Sequence, residues 1–291
     1  MKVCDAYGAG KFGLSFELFP PKTPEGEAEL YRQLAELMSF RPSYVTCTYG
    51  AGGSTRDKTL EIVGEVYKRH GCPVASHLTC VEATVDDLRG YLRQALERNV
   101  HNIVALRGDP PKGATGFTAK AGGLRYASEL VALIKREFPQ FGIAVAGYPE
   151  THQEATSPAD DLQNLKRKVD AGADVVITQL FYDNVDFFRF RDDCEALGIQ
   201  VPVVPGILPV TNLAQVQRIA SLCKARLPEE LIASLSAAGD SAADQMQAGI
   251  DFAIAQVREL LDAGVPGIHF YVLNKSHATA SVLRAVQYEP A

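Results

Sequence analysis

No run of about 18 uncharged apolar residues occurs anywhere in the 291-residue chain, and its opening residues MKVCDAYGAGKFGLSFELFPP lack the apolar core of a signal peptide. A membrane partner is excluded on that reading, and an unexported, cytoplasmic protein is expected. The six cysteines, Cys4, Cys47, Cys72, Cys80, Cys194 and Cys223, include no C-x-x-C pair. That spacing argues against a zinc ribbon or a disulfide framework and for reduced thiols. An excess of positive charge is missing too: 29 Lys+Arg stand against 35 Asp+Glu, a net charge of −6. Without a basic footprint, a nucleic-acid partner is not expected, whereas small anionic ligands remain compatible. His77, His101, His152 and His269 show neither H-x-H nor H-E-x-x-H spacing, so no metal site is expected and a metal hydrolase is rejected. The glycine run that begins at Gly50 lacks the lysine of a P-loop.

What the chain does have is enough apolar material, 46% hydrophobic with 22% charged residues, to bury a core of the size expected for ~300 residues. Short Val-, Ile- and Phe-rich runs alternate with amphipathic stretches along its whole length. Eight strands are expected, starting near Phe12, Tyr44, Pro73, Asn102, Gly142, Asp174, Pro202 and Gly267. Helices are expected over Glu25–Phe40, Thr55–Arg69, Val85–Asn99, Leu124–Phe138, Asp160–Ala171, Asp186–Leu197 and Asn212–Lys224. Ser54-Thr55, Thr84 with Asp87, and Ser157-Pro158 read as helix starts, and Gly71, Gly172 and Gly198 as stops. Eight such units predict an α/β fold, a (β/α)₈ TIM barrel forming a single domain over residues 1–291, with a helical insertion over Pro228–Gly264 before the last strand. The alternative, an open doubly wound sheet, calls for a G-x-G-x-x-G turn after the first strand, where FELFPPKTP stands instead.

In such a barrel the chemistry sits at the carboxyl ends of the strands, which here carry Glu17, Thr48-Tyr49, His77, Arg107-Gly108-Asp109, Tyr148-Pro149-Glu150 with His152, Gln179 and Asn274-Lys275. Glu17 lies in the apolar run LSFELF, where desolvation is expected to raise its pKa and suit it to acid catalysis. A buried, hydrogen-bonded structural carboxyl is the competing reading. Arg107-Gly108-Asp109 puts a cation, a glycine and a carboxylate together, suited to an anionic or heteroaromatic ligand or, more simply, to a local Arg/Asp ion pair. By default, Lys166-Arg167-Lys168 forms a solvated helix face, and Phe181, Tyr182, Phe187, Phe188 and Phe190 pack a core or a subunit contact.

The segments SFELFPPKTPEGE, YVTCTYGAGGSTRDKT, HLTC, NIVALRGDPP, GYPETH, DLQNLKRKVDAGAD, ITQLFYD, PGILPVTN and FYVLNK occur in an order that resembles the methylenetetrahydrofolate reductase family, bacterial single-domain type, over nearly the whole chain. The resemblance implies the same barrel, FAD as cofactor and NADH or NADPH as co-substrate. It also implies ping-pong reduction of 5,10-methylenetetrahydrofolate to 5-methyltetrahydrofolate, which supplies methyl groups for methionine synthesis, by a cytoplasmic homo-oligomer acting on small-molecule substrates. It makes Glu17 the general acid toward folate N10 and Asp109 a catalytic carboxylate beside flavin and pterin. Thr48, Tyr49, His77, Arg107, Gly108, Asp109, Ala127, Tyr148, His152, Ala155, Asp161, Asn164, Arg167 and Lys168 match cofactor contacts, and Gln179, Gln215 and Lys275 match substrate contacts. On this footing Arg167 and Lys168 change from a solvated face to diphosphate partners. Ile219 stands where a well-known member has a stacking Phe, and Lys275 where it has Arg, which bears on aromatic stacking and bidentate carboxylate binding. The family's eukaryotic regulatory domain has no counterpart in 291 residues. Two other functions fit in part: an FAD barrel dehydrogenase of the proline dehydrogenase kind, and a catalytically silent folate- or flavin-binding subunit. Glu17, Asp109 and Gln179 together speak against both.

Overall fold

A computed structural model describes residues 1–48, 56–110, 113 and 116–290. Its strands are β1 (Gly13–Leu18), β2 (Tyr44–Cys47), β3 (Val74–Thr79), β4 (Asn102–Leu106), β5 (Gly142–Gly147), β6 (Val175–Thr178), β7 (Val203–Val204), β8 (Gly206–Ile207) and β9 (Gly267–Tyr271). All pair in parallel in the order β7-β6-β5-β4-β3-β2-β1-β9-β8. Because β7 and β8 are the two halves of the run expected from Pro202, that order closes on itself. Pro205 makes the break, since it has no N–H to donate to a ladder. Its carbonyl still accepts from His269 N at 2.9 Å, and the Pro202 carbonyl accepts from Val176 N at 2.9 Å, so one short run joins β6 to β9. The (β/α)₈ barrel read from the sequence is therefore the observed fold.

The helices are α1 (Pro24–Met38), α2 (Arg56–His70), α3 (Val85–Glu97), α4 (Ala127–Glu137), α5 (Pro158–Asp170), α6 (Asn184–Ala196), α7 (Leu213–Cys223), α8 (Glu229–Ala237), α9 (Ala242–Asp262) and α10 (His277–Ala285). Two of the expected starts are real caps. Thr84 and Asp87 form a reciprocal capping box, and Ser157 Oγ accepts from Asp160 N at 3.1 Å. The third, Ser54-Thr55, lies outside the described residues. The insertion is the α8–α9 pair, but most of the expected SAAGDSAADQ connector is helix, since α8 runs to Ala237 and Ser241 caps α9 at Ala242. Helix α10 was not expected from the sequence.

The inward and outward faces of the strands build two cores. Leu14, Phe16 and Leu18 of β1 pack outward with Leu34, Leu60 and Ile103 between barrel and helices. Inside the barrel lie Tyr44, Ala75, Val104, Ala144 and Val175, with Val3, Ala6 and Tyr7 from a short 3₁₀ turn (Val3–Ala6). That turn plugs the amino end: Asn102 Oδ1 accepts from Val3 N at 2.8 Å, and the Tyr7 and Tyr44 hydroxyls meet at 2.6 Å. Gly13 is required beneath the plug, since a Cβ there would lie 2.2 Å from the Tyr7 ring. With the amino end filled, the cavities that matter open at the carboxyl end.

Candidate active site

Strand alternation puts Ser15 and Glu17 on the inner face of β1, in register with His269 and Tyr271 of β9. His77 of β3 completes the group. Glu17 Oε2 lies 3.1 Å from His77 Nε2 and 3.5 Å from His269 Nε2, while Ser15 Oγ meets His269 Nδ1 at 2.8 Å. Glu17 and His77 are 7% exposed and His269 not at all. The His77 approach is off the axis of a hydrogen bond, so both of its ring nitrogens are buried without a hydrogen-bond partner, as is His269 Nε2. Burial pushes the Glu17 carboxyl up, but the two imidazoles, His77 first, outweigh it and hold the carboxyl at about 2. The raised pKa expected from the apolar strand context is thus overturned. The sequence shows the desolvation and not the histidines that face it.

Glu17, His77 and Tyr271 line a cavity of about 510 Å³. Thr48, Arg107, Gly108, Asp109, Tyr148, His152 and Gln179 line it too, walled on the far side by Leu180, Leu208, Ile219 and Leu273. Tyr49 lies outside the described residues. Gly108 has a φ of +86°, and a Cβ there would come within 2.8 Å of Val81 Cγ1 and 2.9 Å of Thr79 Cβ, so only glycine fits. The local Arg107/Asp109 pair does not form. Arg107 instead grips Glu154 with two bonds, Nη1 to Oε2 at 2.5 Å and Nη2 to Oε1 at 2.9 Å, and Asp109 makes no ion pair among the described residues.

Arg107, Tyr148 and His152 also line a neighbouring cavity of about 670 Å³ between β4, β5 and the start of α5. It gathers Ala127, Ala155, Asp161, Asn164, Arg167 and Lys168, so the remaining expected cofactor residues meet in one place. Asp161 Oδ2 accepts from His152 N at 2.7 Å, and the Tyr148 and His152 rings meet edge to face at 4.6 Å. Lys168 Nζ donates to Ala146 O at 2.5 Å and sits 5.8 Å from the centre of the Tyr148 ring. Burial pulls its pKa down to about 8, with Asp161 opposing the shift. The Lys-Arg-Lys run divides: Lys166 pairs with Asp170 outside, whereas Arg167 and Lys168 line the cavity. Arg125, not among the residues expected from the sequence, adds a fourth cation beside Tyr126, after Arg107, Arg167 and Lys168. Its signal was its place immediately before α4, at the mouth of the barrel.

Gln215 and Lys275 are not in the catalytic cavity. They share a third cavity, of about 500 Å³, with Thr211, Asn212 and Arg218. The aromatic run across the start of α6 is mostly core: the Phe181 and Phe187 rings stack at 5.4 Å and both are fully buried, while Phe188 is half-buried. Among the described residues no His, Cys, Asp and Glu cluster could hold a metal, and no helix is long and apolar enough to cross a membrane.

The residues fit a flavin dinucleotide on two structural grounds. His77 leaves its buried Nδ1 without a hydrogen-bond partner beside one cavity, and the half-buried Lys168 lines the adjoining one without a carboxylate in contact. An elongated ligand with a polar ring system and a diphosphate would satisfy both.

A solved protein of Clostridium thermocellum, described as uncharacterized and as binding two copies of 5-methyl-5,6,7,8-tetrahydrofolic acid, superposes with a TM-score of 0.63 at 15% identity, over 97% of this chain and 96% of that one. That likeness speaks for the fold. Sequence comparison goes further. The 5,10-methylenetetrahydrofolate reductase of Escherichia coli K12 is 41% identical over 97% of this chain and 93% of its own length. The NADH-type methylenetetrahydrofolate reductase 1 of Zea mays is 38% identical over 97% of this chain, which spans only 49% of the plant protein. The family model described as methylenetetrahydrofolate reductase matches residues 2–287. With the barrel, both cavities and the Glu17 cluster inside that span, the chain belongs to the methylenetetrahydrofolate reductase family.

Proposed function

We propose that this protein reduces 5,10-methylenetetrahydrofolate to 5-methyltetrahydrofolate with electrons from NADH or NADPH, using FAD as a resident cofactor visited by the two substrates in turn. Held by the residues of the two cavities, a flavin would supply hydride transfer between the nicotinamide and the folate. The chain's own residues supply the rest. Lys168, Arg167 and Arg125 offer charge-assisted donors to a diphosphate, and Gly108 lets the β4 end pack closely on Thr79 and Val81 in the cavity wall. Gln179 and Asp109 present an amide and a carboxylate to the pterin edge. Glu17 protonates folate N10 and opens the five-membered ring to an iminium.

The observation that carries this reading is the Glu17 cluster. The carboxyl starts ionised, so it must take up a proton before it can give one to N10, and the buried His77 and His269 rings face it at 3.1 and 3.5 Å. Filling the cavity with a folate excludes water and favours the neutral carboxyl over the carboxylate. A general acid of this kind contributes about 10²- to 10⁴-fold.

The test is anaerobic rapid mixing. FAD-loaded protein is expected to bleach with NADH or NADPH and to recover its colour on addition of methylenetetrahydrofolate. Bleaching without recovery would point to a dehydrogenase of the proline dehydrogenase kind, and failure to bind flavin to a silent folate-binding subunit.

A further inference from the structure

The turn between β9 and α10 is strained and tightly held. Leu273 and Asn274 both have left-handed backbone, with φ of +47° and +56°, although neither is glycine. Lys275 N closes the turn on Val272 O at 2.8 Å. The Asn274 side chain reaches across the barrel seam to the backbone of Phe19: its Oδ1 accepts from Phe19 N at 2.9 Å and its Nδ2 donates to Phe19 O at 2.7 Å. Two residues on, Ser276 is buried and bonded through Oγ to Gln33 Oε1 at 2.7 Å and Glu36 Oε2 at 2.6 Å on α1. A side chain that meets both polar groups of one peptide residue works as a two-point clamp, and the strain it holds shows that the geometry is imposed.

The clamped residue is two positions after Glu17. Phe19 and Leu273 both line the catalytic cavity, so the clamp joins its two walls where β1 and β9 end. We infer that Asn274 is a positioning residue for the acid step: by fixing Phe19 it sets the carboxyl end of β1, and with it the direction in which the Glu17 carboxyl faces the substrate. Displacement of a catalytic group by about 1 Å is enough to cost ~10²-fold in rate. The nicotinamide half of the cycle needs no proton from Glu17 and does not depend on the clamp.

This inference rests on the proposed folate reaction, and its test separates the two. Asn274→Gly removes the clamp but suits the left-handed backbone, so the chain is expected to fold. In the FAD-loaded full chain, hydrogen exchange at the Phe19 amide is expected to speed up while the Thr48 amide, bonded to Leu18 O, stays protected. Flavin reduction by the nicotinamide is expected within twofold of wild type, and reoxidation by methylenetetrahydrofolate to slow by ~10-fold or more. Asn274→Asp keeps the acceptor for Phe19 N and is expected to fall in between. Unchanged exchange at Phe19 would overturn the clamp. Faster exchange with an unchanged folate rate, or equal losses in both half-reactions, would overturn the positioning role. Failure of the wild-type protein to be reoxidised by methylenetetrahydrofolate would instead overturn the proposed reaction, with the exchange result standing on its own.

Discussion

Glu17 and Lys168 are both ionisable groups sunk into the carboxyl end of one barrel, yet burial loses at Glu17 and wins at Lys168. Glu17 faces His77 and His269, and the pair holds its carboxyl at about 2 despite desolvation. Lys168 donates to a carbonyl and has only the more distant Asp161 to oppose burial, which brings it down to about 8. The Glu17 region is therefore balanced by the protein itself. The Lys168 region keeps a cation with no carboxylate in contact, which a ligand's negative charge would balance. In the proposed function this difference corresponds to chemistry in the first cavity and cofactor retention in the second, and it can be broken at either end.

The largest effect is expected at Glu17. Glu17→Gln should lower turnover with methylenetetrahydrofolate by ~10² to 10⁴ while nicotinamide oxidation with an artificial electron acceptor stays within a few-fold. Equal losses in the two assays would return Glu17 to a structural role.

Lys168→Met should act in opposite directions on binding and on folding. Losing a charge-assisted diphosphate partner is worth about 1.5 to 3 kcal/mol, or roughly a 10- to 100-fold weaker FAD affinity, read by flavin release on dilution. The flavin-free variant should nevertheless be more stable than wild type by ~1–2 kcal/mol, a value already discounted for the partial exposure of the lysine stem. The sign follows from the depressed pKa. The penalty of a charged Lys168 is complete below pH 8 and fades between about 8 and 10.5, so the variant's advantage in urea unfolding should shrink over that range. A flavin-free variant that unfolds more easily at pH 7 would contradict the comparison.

Asp109 lies between the two regions, and its effect should be smaller. Removing its charge beside the flavin, as in Asp109→Asn, should make the midpoint potential more positive and weaken folate binding. Spectroelectrochemical titration showing no change, together with unchanged folate affinity, would place Asp109 outside the site.

The smallest expected effect is on acid stability. A carboxyl depressed from 4.5 to about 2 stabilises the fold above its unfolded pKa, and that contribution is lost as pH falls from 4.5 toward 2. Glu17→Gln should therefore lose slightly less stability between pH 5 and pH 3 than wild type does. An identical slope would mean that the His77 and His269 contacts do not hold the carboxyl down.

Much of this was legible in the chain. The apolar runs show the eight barrel strands because each is buried on both faces, and Glu17 stands out because a carboxylate in such a run is anomalous. The histidine pair was not legible: His269 is 254 residues from Ser15, and only the β1–β9 register brings them together. Without that register, the rise from burial is visible and the larger opposing effect is not. Pro205 was hidden for a similar reason, since a proline inside an apolar run is read as part of one strand until its neighbours on both sides are known. The cavity shared by Gln215 and Lys275 rather than by Gln215 and Gln179 also depends on where α7 and the β9–α10 turn meet, which residue identity alone does not encode.

The division of labour between the two cavities is tested most directly by measuring FAD affinity and the rate of flavin reoxidation by methylenetetrahydrofolate, side by side, in Glu17→Gln and in FAD-saturated Lys168→Met. The expected result is a crossing pattern. Glu17→Gln keeps its FAD and loses the folate step by at least ~10², while Lys168→Met loses FAD affinity by ~10-fold or more and, once saturated, keeps the folate step within a few-fold. Parallel losses in both quantities for both variants would contradict the account.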